Sequence, residues 1–343
     1  MTVKVINKLI KTVQQNPTLN DIKIGIYNLL NFHKKGNHKD IFIFASARGG
    51  STLLEKIIAS QPGIAYIFEP LHWRRFFTKR TAIQPDYKFI YSHPARRDLF
   101  KKYFEDIFDN RITIHFPLAF WRDTFTLRPE RYVFKLINGK ELINWFQQVF
   151  DIHVIYLLRH PIATALSRIQ RGWKNFNQRC EYLLETPLFR EYASPKLVQY
   201  AQQKLKSHSE ITRFVTGWCI ENYIPIVHLK KDGWIILSYE ILIAQPETSL
   251  RLLQEKLDLP RMDLMIKQMK KPSSMVLTDF EKTQLYKTGH DDTAKQMLID
   301  GWRDKVSDNE INEAFEILTH FEIDVYTKES SIPDVNKLYV QAK

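Results

Sequence analysis

The sequence predicts an α/β fold, a doubly wound parallel sheet flanked by helices. Three observations point there. Ile41 to Ala45 reads as a buried strand, a short loop follows, and Leu53, Leu54, Ile57 and Ile58 then recur at helical spacing. His153 to Leu158 is a second apolar, β-rich run, again followed by a helical stretch through Ala163, Ala165, Leu166 and Ile169. Along the rest of the chain, strand-like and helix-like segments keep alternating, and that order favours parallel crossovers.

Residues 1–30 read as helical, with Val3, Ile6, Ile10 and Val13 on one face and Lys4, Lys8 and Lys11 elsewhere. A basic amphipathic helix can lie on a membrane surface, but packing on a domain flank is the expectation. His33 to Lys39 is a polar, basic loop. Residues 61–130 are rich in aromatics and arginine, with poor periodicity. Arg131 to Ile137 reads as a strand, Glu141 to Phe150 as a helix, and Pro161 suits a first helical turn. Lys196 to Leu229 reads as mostly helical, Trp234 to Leu237 as a strand, and Thr248 to Leu257 as a helix. Pro272 to Gly301 is polar and expected to be loop-rich, a cover that moves. Asp308 to His320 is helical. No internal repeat is found.

Composition bounds the answer. The chain has 343 residues, 44% hydrophobic and 26% charged, as globular proteins do. Its net charge of +12 raises the local concentration of anionic ligands. No zinc-finger spacing or RNA-binding aromatic signature accompanies that charge, so nucleic acid is not the expected partner. Cys180 and Cys219 make neither a disulfide framework nor a metal site. No metal site is expected. The start of the chain has no secretory signal pattern, and no run of about 18 apolar residues could span a membrane. A cytoplasmic, bacterial enzyme is the expectation.

The chemistry sits in the two strand–loop–helix segments. A small glycine-containing turn before a helix N-terminus points backbone N–H groups at an anion. Here the turn runs through Arg48, Gly49, Gly50, Ser51 and Thr52. The Walker pattern would place Gly at position 45 and Lys at 51, but the chain has Ala45 and Ser51. A positive charge at Arg48, with no Lys, suits a shorter anionic group than a nucleoside triphosphate. Arg159 ends the second strand, where open α/β sheets place ligands. Ser167 follows two helical turns later. Guanidinium plus hydroxyl is a good pair for one phosphate.

Together these segments resemble the sulfotransferases that use 3′-phosphoadenosine-5′-phosphosulfate (PAPS). Arg48 to Thr52 resembles the family's 5′-phosphosulfate loop, with Gly49 departing where Ser is usual. Leu157 to Ser167 resembles its 3′-phosphate motif, with His160 where Asp is common. Ile236 to Glu247, including Tyr239, resembles the strand and Tyr-Glu turn that follow. Gly301 to Lys305 resembles the C-terminal segment that closes over the cofactor. The resemblance spans roughly residues 40–320 and implies the P-loop-like sulfotransferase fold. It sets the domain at 40–325, with an acceptor-binding insert about 70–130, an N-terminal helical extension 1–39 and a tail 326–343.

The resemblance implies sulfuryl transfer by in-line attack, with 3′,5′-bisphosphoadenosine (PAP) as the product. Arg48, Gly49, Gly50, Ser51 and Thr52 are expected to hold the 5′-phosphosulfate, and Arg159 and Ser167 the 3′-phosphate. Tyr239, Trp302 and Arg303 are further candidates for the nucleotide. Tyr66 to Trp73 resembles a stretch of the carbohydrate sulfotransferases. It makes Glu69 the candidate base, since partial burial raises a carboxyl's pKa. Cytosolic members instead place a His two residues after a strand Lys; Lys135 fits the Lys, but Ile137 stands in the place of the His. Lys135 is the candidate sulfate contact. His72, His115 and His160 remain alternative bases, and His72, Trp73 and His115 join Glu69 as candidate acceptor contacts. The acceptor is expected to be a small metabolite or a carbohydrate, sulfated on a hydroxyl rather than an amine. The alternatives are a P-loop-type small-molecule kinase and an acceptor-binding protein without catalysis.

Overall fold

Asp40–Ala45 (β1) is the middle strand of a five-stranded sheet, and all six of its residues are buried. The computed structural model describes residues 16–72, 97–120, 122–173, 176–271 and 292–340. Pro17–Leu29 (α1) precedes β1; Ser51–Ile58 (α2), Ile64–Phe68 (β2) and Arg97–Phe108 (α3) follow it. Then come Arg131–Leu136 (β3), Ile143–Val149 (α4), Ile152–Leu158 (β4) and Pro161–Ile169 (α5). A helical layer is built from Phe176–Glu185 (α6), Pro187–Tyr192 (α7), Pro195–Leu205 (α8) and Glu210–Tyr223 (α9). Trp234–Ser238 (β5) is the last strand. Tyr239–Ala244 (α10), Pro246–Leu257 (α11), Met262–Met269 (α12), Asp292–Asp300 (α13) and Asp308–His320 (α14) complete the main elements.

The strand order is β2-β3-β1-β4-β5, and every pairing is parallel. This is the predicted doubly wound α/β sheet. Ile43 pairs with Lys135 and with Ile155, and Phe68 also pairs with Lys135. Side chains alternate between the two faces of a strand. Phe42, Phe44, Phe134, Tyr156 and Ile236 enter one core, under α3, α4, α5 and α9. Ile41, Ile43, Val133, Ile155 and Leu237 enter the other, under α2, α11 and α12. Burial on both faces is why these strands read as apolar runs rather than alternating ones. The Phe42 ring centroid lies 4.5 Å from that of Phe134 and 5.6 Å from that of Phe146.

The structure adds detail to three expectations. Of the segment 272–301, residues 272–291 lie outside the described residues, and Asp292–Asp300 is a helix that buries Ala294 and Ile299. The stretch 196–229 is mostly helical as expected, in two main helices, because Ser209 caps a new one by accepting from the Thr212 N–H. The tail from 326 packs onto the fold, with Tyr326, Ser331 and Leu338 buried. Trp73, and the face made by Val3, Ile6, Ile10 and Val13, lie outside the described residues. No described helix is long and apolar enough to cross a membrane.

The topology fixes the site. From β1 the chain goes to β2 and β3 on one side, then to β4 and β5 on the other. Loops leaving the carboxyl ends diverge there and open a crevice, the switch point where such sheets bind ligands.

Candidate active site

The turn after β1 is shaped by its glycines. Gly49 donates its N–H to Ser46 O at 2.9 Å, and a Cβ on Gly49 would come within 2.7 Å of that oxygen. Gly50 caps α2 with φ 89°, and a Cβ there would lie 2.6 Å from Tyr239 Cδ2. Arg48 takes φ 69°, a region non-glycine residues enter only under constraint. The first N–H groups of α2 have no partner within the helix. These backbone donors and the helix dipole converge on one place.

The side chains around the turn are cationic. Arg48 donates from Nε to Ser167 Oγ at 3.0 Å. Arg159 donates from Nη1 to Arg48 O at 2.8 Å, and its guanidinium lies 4.4 Å from the Tyr239 ring centroid. Arg159 Nε is buried with no hydrogen-bond partner. Burial, then Arg171, Arg159 and Arg168, push the Arg48 guanidinium down to about 10. A group of cations this crowded is relieved by an anion. Arg48, Gly49, Gly50, Ser51, Thr52, Arg159, Ser167 and Tyr239 are thus brought together around one turn.

Beneath the turn lies a buried network that sequence reasoning missed. Glu221 on α9 accepts from Arg168 Nη2 at 2.8 Å and pairs with Lys140 at 3.5 Å and Arg179 at 3.4 Å. Lys140 Nζ donates to Ser46 Oγ at 2.7 Å, and Arg168 Nε to Ala47 O at 3.2 Å. Burial pushes the Glu221 carboxyl up, but Arg168, Lys140 and Arg179 outweigh it and hold it well below the usual carboxylate range. The one sequence signal was a lone acid within the apolar run Trp218-Cys-Ile-Glu-Asn-Tyr223.

On the other side of β1, Glu69 and Lys135 meet. Lys135 Nζ is 2.9 Å from Glu69 Oε1 and donates to Thr52 Oγ1 at 3.2 Å. It also lies 3.5 Å from the Phe68 ring centroid. Glu69 has φ 48°, so both of the strained non-glycine residues at the strand ends are predicted site residues. His72 donates its N–H to Glu69 O at 3.0 Å, which closes the turn after β2. A cavity of about 360 Å³ adjoins Thr52, walled by Lys56, Tyr66, Phe68, Arg122 and Lys267.

Four candidates lie elsewhere. His115 stacks edge-on to Tyr132, near the amino end of β3 rather than the site end. His160 is fully buried and stacks on Trp302 at 4.3 Å, and burial holds its ring well below the usual histidine range. Trp302 donates to Ser331 Oγ at 3.0 Å, and Arg303 to Lys328 O at 2.9 Å. Trp302 and Arg303 thus fasten the C-terminal segment behind His160 instead of lining the turn. Glu240 joins the same cluster. It accepts from the His160 N–H at 2.9 Å and from Tyr326 OH at 3.3 Å, and burial pushes it up to about 7.

A family model described as the sulfotransferase family matches residues 40–263, well over half of the chain. The chain belongs to the sulfotransferase family. Its sequence places Arg48, Arg159, Glu69 and Lys135 all inside the matched region. Among solved structures, it is similar to the mouse sulfotransferase SULT7A1 complexed with PAP, at 13% identity and a TM-score of 0.39, covering 86% of this chain and 88% of that one. It is also similar to the sulfotransferase domain from the Synechococcus PCC 7002 olefin synthase, at 16% identity and 0.41, covering 86% and 99%. The sulfotransferase domain from the curacin biosynthetic pathway matches at 16% identity and 0.44, covering 85% and 99%. No curated protein matches the sequence.

Proposed function

We propose that this sulfotransferase takes the sulfuryl group from PAPS and places it on a hydroxyl of a small metabolite or carbohydrate. The observation that supports this most is the cationic cradle of Arg48, Arg159 and the α2 N-terminus, with Arg159 Nε buried and unpartnered. The donor set fits a bisphosphate: two guanidiniums, the Ser51, Thr52 and Ser167 hydroxyls, and a turn open enough for backbone contact. PAPS supplies an activated sulfuryl group whose leaving partner is a phosphate.

Arg48, Gly49, Gly50, Ser51 and Thr52 hold the 5′ end in this reading, and Arg159 with Ser167 the 3′-phosphate. Tyr239 supports the turn from beneath Gly50 and carries Arg159 on its ring. Arg48 faces the charge that develops on the leaving group. Glu69 accepts the hydroxyl proton, held in place by Lys135; Lys135 and Thr52 orient the group between them. The acceptor enters beside Phe68 and Tyr66, which wall the cavity next to Thr52. A cytoplasmic setting suits the two free, buried cysteines.

Calorimetry with PAP, beside ADP and without Mg²⁺, tests the assignment. PAP is expected to bind at least tenfold more tightly than ADP, and Arg159→Ala to remove most of that preference. Equal or tighter binding of ADP, or a requirement for Mg²⁺, would overturn it and bring forward the kinase alternative.

A further inference from the structure

We propose that Glu221 is a positioning residue that sets the phosphate-binding turn from below, through Lys140 and Arg168. The proposal rests on the reading of that turn as the 5′-phosphosulfate site.

Glu221 is about 1% exposed, twelve residues into α9, and touches no part of the turn itself in the contacts described above. Two of its partners do. Lys140 Nζ reaches Ser46 Oγ at 2.7 Å, and Arg168 Nε reaches Ala47 O at 3.2 Å. Ser46 Oγ also accepts from Asn222 Nδ2 at 3.0 Å, the residue next to Glu221. Asn222 in turn accepts from Tyr156 OH at 2.9 Å and donates to Trp218 O at 2.7 Å. Arg168 follows Ser167, which accepts from Arg48. One carboxylate therefore registers the floor of the turn and the helix that carries the second phosphate ligand.

The charge balance is uneven. Three cations share the Glu221 carboxylate, and with Glu141 counted beside Lys140 a net of one positive charge remains beneath the turn. Glu141, about 9% exposed, is the other acid acting on Lys140. Buried ion pairs are seldom the most stable filling for a core, since well-packed apolar side chains often serve as well or better. A network of this kind is explained by what it holds. Here it fixes Ser46 and Ala47 at hydrogen-bond distance and leaves unspent positive charge for an arriving polyanion.

Position and charge give opposite predictions for Glu221→Gln. If the carboxylate only offsets charge, its loss makes the site more positive and PAP binds more tightly. If it positions the turn, PAP binds more weakly despite the added positive charge. Glu221→Asp keeps the charge and shortens the reach, so it separates the same roles in a variant that keeps its counter-ion. Calorimetric titration with PAP reads both affinity and the fraction of competent protein. The expected result is a Kd at least tenfold weaker for both variants, at wild-type stoichiometry. Tighter binding by Glu221→Gln would overturn the proposal. So would unchanged Kd with reduced stoichiometry, which is what a merely structural role produces. Should Glu221→Gln fail to fold, Glu221→Asp decides alone, and wild-type affinity there sinks the idea. Failure of the wild type to bind PAP would instead strike the reading of the site.

Discussion

Glu221 and Glu240 are both about 1% exposed, yet their surroundings act on them in opposite directions. Glu221 sits among Arg168, Lys140 and Arg179, which hold it ionised. Glu240 has Arg159 as its nearest cationic influence and otherwise only dipoles, the His160 N–H and the Tyr326 hydroxyl, and burial pushes it up to about 7. The first carboxylate underlies the turn proposed to bind the 5′-phosphosulfate. The second ties the end of β4 to the C-terminal segment. The difference teaches what each region does: one holds a carboxylate ionised among cations, and the other closes a seam on a carboxyl whose charge burial opposes.

Removing each side chain is the coarsest way to break this comparison. Glu221→Ala removes the carboxylate shared by the buried Lys140 and Arg168 and the partly buried Arg179, and is expected to cost about 3–5 kcal/mol. Glu240→Ala leaves one N–H and one hydroxyl unsatisfied and is expected to cost about 1–3 kcal/mol. Urea denaturation of the two variants at pH 7 checks the order. Equal losses would show that the cations around Glu221 find other partners, and the contrast would fail.

Sequence reading separated these regions only in part. β1, β3, β4 and β5 were legible because both of their faces are buried and their side chains are mostly apolar, whereas β2, an edge strand buried only at Ile64 and Ile67, was not named as one. Arg48 and Gly50 were legible because a charge and a left-handed glycine stand out in a short turn between a strand and a helix. Glu69 and Lys135 could be named as candidates one by one, but their ion pair spans two strands. Glu221 was hidden more deeply. Its partners at 140, 168 and 179 come from three separate segments, and the packing of α9 against α5, α6 and the turn at Lys140 brings them to it. Trp302 and Arg303 illustrate the converse. Their motif predicted proximity to the nucleotide, but a motif does not state which way a side chain turns, and here they turn toward His160 and the C-terminal segment.

A pH series sharpens the comparison. The ordinary glutamate value is 4.5, and the native value of Glu240 is about 7. Between them the native state keeps a proton that the unfolded chain has lost. The stability this contributes is full below about 4.5 and is lost as pH rises through about 7. Its upper bound is on the order of 3 kcal/mol. His33 and His153, pushed down to about 4 chiefly by burial, act with the opposite sign over part of the same range. The test is therefore the difference between wild type and Glu240→Gln. The variant should gain relative stability as pH climbs from 4.5 to 7.5. A difference that stays flat with pH would place Glu240 with Glu221 as an ionised anchor.

The smallest effect belongs to the Tyr326 hydroxyl, which donates to Glu240 Oε2 at 3.3 Å. Tyr326→Phe keeps the ring against His160 and removes only that donor. A hydrogen bond to a neutral group contributes about 0.5–1.5 kcal/mol, and one to a charged group about 1.5–3 kcal/mol. The cost of Tyr326→Phe is thus expected to be about 1 kcal/mol at pH 5, where Glu240 is protonated, and to rise toward 2 kcal/mol, roughly, above pH 8. The same loss should push the Glu240 carboxyl up further, because the hydroxyl favours its charged form. Thermal melts of wild type and variant at the two pH values measure both. A cost that does not change with pH would mean that Glu240 holds one charge state throughout, and the opposition between the two buried carboxylates would narrow to a difference in neighbours alone.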